Sequence, residues 1–130
     1  MNANGRRRWN RTERESFRHA TEGIQYAMKN EPHMRMHLGA AIIVLAAAAW
    51  LKLPIEGWLW ILSAVAAVWV TELLNTAVER AVDLASPDSN HLAKVAKDAA
   101  AGAVLVASLY SAAIGVLVLG PPIWDRLFGG

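Results

Sequence analysis

Three long apolar stretches, separated by short polar segments, limit what this chain can fold into. They occupy residues 34–53, 57–84 and 92–119. Each reaches the ~20 residues that an α-helix needs to cross a hydrocarbon core about 30 Å thick. A backbone inside a bilayer has to satisfy its own hydrogen bonds, so the stretches predict an all-α membrane protein with three transmembrane helices.

The composition agrees with a chain that is solvated by lipid. Of its 130 residues, 55% are hydrophobic and 18% are charged, and the mean hydropathy of +0.25 is high for a soluble domain of this size. The sequence has no cysteine, which excludes a disulfide framework and a thiolate metal site. We expect one membrane-embedded domain over residues 1–130 and no nucleic-acid partner.

Short polar connections separate the predicted spans. Lys52, Pro54 and Gly57 close the first span, and so short a connection returns the second helix antiparallel to the first. The third span is expected to end at the Gly-Pro-Pro sequence of residues 120–122, because proline lacks the N–H that a helix interior uses. A cleaved secretory signal is disfavoured, because the first apolar run begins only around Leu38 and two more follow it.

The segment before the first span has apolar residues at helical spacing. They are Phe17, Ala20, Ile24, Ala27 and Met28, with charged residues on the other faces. This pattern predicts an amphipathic helix that lies at the membrane surface. We therefore interpret residues 1–33 as a cytoplasmic arm and surface helix; a helix packed on a soluble partner is the alternative.

Lysine and arginine are distributed unevenly along the chain. Eight of the thirteen lie at or before Arg35, one is Lys52, three lie between Arg80 and Lys97, and one is Arg126. Eleven therefore fall on the side of the N-terminus and of the second connection. The positive-inside rule makes that side cytoplasmic, which predicts an N-terminus inside and a C-terminus outside.

A polar stripe runs along the second predicted span. At 100° per residue, Glu79 and Asp83 lie within about 20° of Glu72, and Asn75 lies about 60° away. Glu72 follows Gly57 by roughly 22 Å along the axis, inside the cytoplasmic leaflet. An ionisable group at that depth is a candidate for function. The alternative, polar groups that only bind helices together, explains poorly why three acids that repel one another share a face.

Two more charged clusters are expected at the same level of the membrane: Glu31 and Arg35 before the first span, and His91, Lys94, Lys97 and Asp98 at the start of the third. Carboxylates such as Glu31 and Glu79 suit Mg²⁺, and lysines suit phosphates. Lys94 could equally be an interfacial anchor. The histidines at positions 33, 37 and 91 match no strong metal motif and are interpreted as interfacial hydrogen-bonding residues. The aromatic belt on the outer side is assigned to Trp50, Trp58, Trp60 and Trp124.

The third span has small residues at every fourth position, namely Ala99, Ala103, Ala107, Ser111 and Gly115. A ridge of small side chains lets another helix approach closely, so this face is predicted to be a packing seam. Three helices leave little room to enclose a nucleotide, a metal and a lipid. We therefore expect a neighbouring subunit to complete the site.

These residues resemble those of a known family, the small prokaryotic integral-membrane diacylglycerol and undecaprenol kinases. The motif that carries the resemblance is Glu-Leu-Leu-Asn-Thr-Ala-Val-Glu at residues 72–79, followed by Asp83. Ala-Lys-Asp at residues 96–98 lies downstream, and Asn-Glu at residues 30–31 with Arg35 lies upstream. The resemblance covers roughly residues 16–119, nearly the whole chain.

The resemblance implies a lipid kinase of the bacterial cytoplasmic membrane, a homotrimer with sites shared between protomers near the cytoplasmic face. It implies ATP, Mg²⁺ and a lipid alcohol as ligands. Glu72 resembles the family's catalytic base, and Glu31 and Glu79 resemble its metal ligands. Further positions that match active-site residues, or that we expect to contact substrate or nucleotide, are Arg35, Asn75, Lys94, Lys97 and Asp98, with Asp83 a less direct match.

The two branches of the family imply different lipid substrates, undecaprenol and diacylglycerol. Residues 91–105 and the Arg-Met-His sequence at residues 35–37 look more like the undecaprenol kinase branch. In the diacylglycerol branch the position of His37 is usually acidic, so undecaprenol is the favoured substrate and diacylglycerol the alternative. Neither a Gly-x-x-x-x-Gly-Lys-Ser/Thr loop nor a Gly-x-Gly-x-x-Gly motif occurs, so nucleotide binding has to depend on side chains and Mg²⁺.

Two other classes of function compete with a kinase: a transport or channel subunit and a non-catalytic assembly subunit. A transport or channel subunit would use the acidic stripe as a cation or proton path, but the outer halves of the spans carry no ionisable side chain to continue it. A non-catalytic assembly subunit would explain the small-residue seam. It would leave Glu31, Glu72 and Glu79 without a role.

Overall fold

The computed structural model describes residues 12–88 and 90–129, and this part of the chain forms four helices: α1 (Glu13–Asn30), α2 (Pro32–Trp50), α3 (Ile55–Ala85) and α4 (His91–Phe128). The three helices α2, α3 and α4 are long and apolar enough to cross a membrane. The prediction of an all-α chain with three candidate spans is thereby confirmed. The arginines of the N-terminal arm, Arg6, Arg7, Arg8 and Arg11, lie outside the described residues.

The surface helix α1 begins with a capping box. The backbone N–H of Thr12 donates to Glu15 Oε2 at 3.0 Å, and the backbone N–H of Glu15 donates to Thr12 Oγ1 at 3.3 Å. The hydrogen bond from the Thr12 backbone lowers the pKa of Glu15. Because the folded pKa is depressed, this contact stabilises α1 above the usual glutamate pKa and is lost as the pH falls through the lowered value.

The packed face of α1 is narrower than its apolar stripe. Ala27 is buried, whereas Phe17 and Ile24 are exposed. Those two side chains are therefore not covered by the described helices, and the location of α1 at a membrane surface stays a prediction. α1 gives way to α2 at Glu31, where Pro32 takes the first helical position and fixes the start of the new helix.

A Schellman motif joins α2 to α3. The backbone N–H of Leu53 donates to Ala48 O at 3.2 Å, and that of Lys52 donates to Ala49 O at 3.1 Å. This geometry requires a left-handed backbone at Lys52, whose φ is 55°. Pro54 then precedes the first turn of α3. The tight turn reverses the chain and makes α2 and α3 antiparallel neighbours.

The core of the bundle is built from few and mostly small side chains. Ala48, Ile61 and Leu119 form a buried cluster that brings together α2, α3 and α4. α3 packs most extensively on α4, and α2 lies mainly on α3. Helices in lipid gain little from hydrophobic burial against one another, so close packing of this kind is what holds them together. α3 is the central helix of the bundle, because its contacts with α4 and with α2 are far more extensive than those between α2 and α4.

The prediction that the third helix ends at residues 120–122 was wrong. α4 continues through Pro121 and Pro122 to Phe128. Two prolines remove two N–H donors, which neighbouring contacts can compensate in a membrane protein. Here Arg126 Nη1 donates to the carbonyl of Trp50 at 2.9 Å, and its guanidinium lies 4.7 Å from the Trp50 ring centroid. Arg126 thus ties the last turns of α4 to the end of α2.

The small-residue seam of α4 is only partly used within one chain. Ala107 is buried and Ser111 and Gly115 are half-buried, whereas Ala99 and Ala103 are exposed. The later half of the seam, from Ala107 onward, therefore packs against the chain's own helices. Its earlier half, Ala99 and Ala103, presents a ridge of small side chains that no described helix covers.

Lys52 provides a test of the turn. Its left-handed backbone is unfavourable for a residue with a Cβ and favourable for glycine. We expect Lys52→Gly to raise the unfolding free energy by about 0.5–1 kcal/mol, the order of the conformational strain. Thermal unfolding in detergent measures the effect. Lys52→Ala removes the same charge and keeps the strain, so equal midpoints for the two variants would contradict the argument.

Candidate active site

Glu72 lies almost completely buried in the C-terminal half of α3. Its relative exposure is 3%. Its Oε1 lies 3.0 Å from Nε2 of His37, which α2 supplies. A buried carboxylate is costly unless it is hydrogen-bonded or paired. The imidazole is therefore the contact that allows Glu72 to occupy this position, and this carboxylate is the one predicted to be the base.

One turn along α3, Asn75 and Glu79 form the second pair. Asn75 Nδ2 donates to Glu79 Oε1 at 3.1 Å. Asn75 Oδ1 is buried and has no hydrogen-bond partner among the described residues. A buried amide oxygen without a partner is unusual and calls for an explanation, of which an ion is one.

Glu31, at the junction of α1 and α2, is paired with a cation from α3. Arg80 Nη2 donates to Glu31 Oε1 at 2.7 Å, and the Arg80 guanidinium lies 5.8 Å from the centroid of the Tyr26 ring. The side chain of Glu31 is 20% exposed and that of Arg80 49%. Arg80 thus links α3 to the surface helix and compensates the charge of Glu31.

A charged cleft opens where α3 ends and α4 begins. Lys97 Nζ lies 2.5 Å from Asp83 Oδ1, and Lys94 forms an ion pair with Asp98. All four side chains line the cleft, whose volume is about 310 Å³. The two pairs bring together charges from both helices. The cleft can receive an anionic group at Lys94 and Lys97.

Arg35 is not directed toward these acids. Its Nη1 donates to the carbonyl of Lys29 at 2.9 Å, so it satisfies a carbonyl in the last turn of α1. The structure thus assembles most of the predicted site residues along α3 and its neighbours. It places Arg35 in a helix-capping contact.

The prediction that Glu31 and Glu79 hold Mg²⁺ can be compared with the oxygen and nitrogen ligands that the structure brings together. Among the residues that the structure describes, no three His, Cys, Asp or Glu side chains gather as a metal cluster. Mg²⁺ needs fewer, since it keeps several waters and uses one or two carboxylates plus substrate phosphates. Asn75 Oδ1, which has no partner among the described residues, and the Glu79 carboxylate are hard oxygen donors of the kind that suits such an ion. The metal roles of Glu31 and Glu79 stay predictions.

Two site residues escaped the sequence argument. The sequence indicated Arg80 only as a positive charge, and His37 only as an interfacial hydrogen-bonding residue and as a position that differs between the family branches. Both make their contacts across long sequence separations, 49 residues for Arg80 and Glu31 and 35 for His37 and Glu72. Helical spacing relates residues on one helix and carries no signal for such pairs.

Comparison with known proteins identifies the family. Residues 18–119 match the family described as prokaryotic diacylglycerol kinase. The match covers all the site residues named above, and it extends over well more than half of the chain. The chain therefore belongs to the prokaryotic diacylglycerol kinase family.

Individual relatives fall on both branches of that family. The chain is 41% identical over 108 residues to undecaprenol kinase of Bacillus subtilis, covering 83% of this chain and 88% of the relative. It is 40% identical over 109 residues to diacylglycerol kinase of Synechocystis sp., covering 83% of this chain and 62% of the relative. Diacylglycerol kinase of Escherichia coli K12 is 31% identical over 86 residues, 66% of this chain and 70% of the relative.

The membership defines the class of chemistry. The chain is a lipid kinase, a phosphotransferase that acts on an alcohol group. The transport and assembly alternatives are thereby set aside. The membrane-spanning helices place this chemistry in a bacterial membrane protein.

Proposed function

We propose that this chain transfers the γ-phosphoryl group of ATP to the hydroxyl of undecaprenol, at the cytoplasmic face of the bacterial inner membrane. The observation that carries the proposal is the buried Glu72 carboxylate, held by His37, with a charged cleft farther along the same helix. The carboxylate suits a proton acceptor at the lipid hydroxyl. The cleft suits the phosphates.

Undecaprenol is favoured over diacylglycerol by two observations. The undecaprenol kinase relative is matched over 88% of its length, against 62% for the Synechocystis diacylglycerol kinase. A histidine also stands at position 37, where the diacylglycerol branch usually has an acid. The similar identities of 41% and 40% keep diacylglycerol as the alternative substrate.

A lipid-kinase assay decides between the substrates. Purified protein would be given labelled ATP and a panel of lipid alcohols that includes undecaprenol and diacylglycerol. We expect the highest kcat/KM with undecaprenol. A higher kcat/KM with diacylglycerol would establish the alternative, and no phosphorylation of any lipid alcohol would contradict the proposal.

The transfer is proposed to be direct. Glu72 accepts the proton of the lipid hydroxyl while the lipid oxygen attacks the γ-phosphorus of ATP. ADP leaves on the opposite side of the phosphorus. Because no phosphate-binding loop occurs in the sequence, orientation of the reactants depends on side chains. Asn75, Lys94, Lys97 and Asp98 are the proposed contacts to the nucleotide. Arg35 would join them only by leaving the carbonyl of Lys29.

Magnesium is proposed to be held by Glu79 and Glu31. When bound it would neutralise negative charge on the phosphates and the transferring group. Asn75 Oδ1, buried and unpartnered, adds an oxygen on the same side of α3. Glu31 Oε1 already accepts a hydrogen bond from Arg80, so Oε2 is the oxygen proposed to face the ion.

The proposed assembly is a homotrimer with the N-terminus inside and the C-terminus outside. The distribution of lysine and arginine supports this orientation. Two features support association: the exposed small residues Ala99 and Ala103, and a cleft that is open on one side in the single chain. A second copy of the chain would cover the ridge and complete the enclosure.

Cross-linking tests the assembly. We expect short cross-linkers to trap dimers and trimers, and no larger species, in several detergents and in lipid, because the seam calls for a neighbour. Ala103→Leu would fill the seam and should reduce trimer yield relative to Val106→Leu, an exposed neighbour on α4. Products that stop at monomer in every medium would contradict the trimer.

Glu79→Gln tests the metal site. The substitution removes a charge and keeps the side chain's shape, so the fold should survive while the Mg²⁺ requirement rises. We expect the half-saturating Mg²⁺ concentration to increase about 10-fold or more, since even outer-sphere partners of metals contribute that much. Glu56→Gln, on an exposed residue at the opposite end of α3, is the matched control. Overlapping Mg²⁺ titrations of Glu79→Gln and the parent would exclude Glu79 as a ligand.

Glu72→Gln tests the base. Glutamine keeps the volume and can accept a hydrogen bond from His37, but it cannot take a proton. General base catalysis contributes roughly 10²–10⁴-fold, so kcat should fall by about that factor while nucleotide binding changes little. Thermal stability and trimer yield are measured on the same preparation. Activity within about threefold of the parent, well below that range, would rule Glu72 out.

A further inference from the structure

The contact of His37 with Glu72 brings together two buried groups from different helices. The His37 side chain is 16% exposed and that of Glu72 is 4% exposed. The contact is 3.0 Å long and joins Nε2 to Oε1. Its length fits a hydrogen bond with good geometry. A neutral imidazole with its proton on Nε2 would donate to the carboxylate.

The position of the imidazole is fixed by the helix that carries it. Met34, one turn before His37, is fully buried, and Ala41, one turn after it, is 8% exposed. These residues lie on the same face of α2 and pack toward the bundle. His37 therefore has a defined position relative to α3. Its ring also borders an apolar cavity of about 70 Å³ beside Ala41 and Trp69.

The hydrogen bond has a direct consequence for the carboxylate. A glutamate has three side-chain torsions, and a bond at Oε1 selects among them. With Oε1 held by the imidazole, Oε2 is the oxygen left to accept a substrate proton. In enzymes that use a carboxylate or histidine as a base, a second group commonly orients that base in this way.

We propose that His37 is a positioning residue for phosphoryl transfer, which orients the Glu72 carboxylate toward the lipid hydroxyl. The inference depends on the proposed role of Glu72 as the base. His37 itself does not touch the reacting atoms. It acts through Glu72, so its loss should reduce kcat and leave the KM values for ATP and for the lipid nearly unchanged.

Two variants of similar length separate the hydrogen bond from packing. Glutamine places an amide N–H near the position of Nε2, whereas methionine fills similar space without a donor. We expect kcat to fall about 10–100-fold in His37→Met, since a small misplacement of a catalytic group has effects of this order. In His37→Gln we expect kcat to stay within about fivefold of the parent value, a much smaller decrease than that expected for His37→Met. His37→Asn, whose amide stops one bond short, should behave like methionine and replaces it if His37→Met does not fold.

His33→Met is the matched control. His33 lies one turn earlier on α2 and is exposed. It should leave kcat unchanged, because it makes no contact with Glu72. Thermal unfolding and trimer yield are recorded for every variant. A loss of kcat that the glutamine variant does not rescue, in protein of parental stability, would overturn the proposal.

A double-mutant cycle distinguishes the failure of this inference from the failure of the proposed base. If His37 acts through Glu72, His37→Met should have little further effect in a Glu72→Gln background. Additive losses would mean that His37 acts independently and would refute its positioning role alone. Full activity of the single variant Glu72→Gln would refute the base itself, and with it the role assigned to His37.

Discussion

The burial of one carboxylate governs how this bundle is built. Glu72 has nearly no contact with solvent, and a charge or a polar group in such surroundings needs a partner. Its partner comes from α2, so the packing of α2 against α3 and the state of the proposed base depend on the same contact. The small buried side chains of Ala41 on α2 and Ala64 on α3 let the two helices pack closely. Architecture and chemistry are therefore set by one interhelical distance.

The other acids of α3 and its neighbours follow the same rule. Glu79 accepts from Asn75, Asp83 pairs with Lys97 of α4, and Glu31 pairs with Arg80. Exposed ion pairs of this kind contribute little to stability on their own. Their value lies in compensation, because each carboxylate that would repel its neighbours has a partner. The pairs of Asp83 with Lys97 and of Glu31 with Arg80 also link α3 to α4 and to the junction of α1 and α2. α3 is the central helix because it carries both the row and its connections.

Much of this arrangement could be predicted from the sequence, because it depends on local patterns. Apolar length predicted the three long helices, and 100° spacing placed Glu72, Asn75 and Glu79 on one side of α3. The contacts that the patterns missed are long-range ones, His37 with Glu72 and Arg80 with Glu31. The end of α4 was misjudged for a related reason. Proline has a strong local preference against the interior of a helix, whereas contacts between residues far apart in sequence, such as that of Arg126 with Trp50 across 76 positions, leave no local pattern.

The charged cleft has a consequence for how an anion enters it. Lys94 and Lys97 already have carboxylate partners, Asp98 and Asp83, within the chain. A phosphate that reached them would not fill an empty positive pocket; it would exchange one set of ion pairs for another. The free energy of such an exchange is a small difference between large terms, so strong contacts need not give tight binding. If the nucleotide binds here as proposed, the competing carboxylates within the chain would favour release of the spent nucleotide after each turnover.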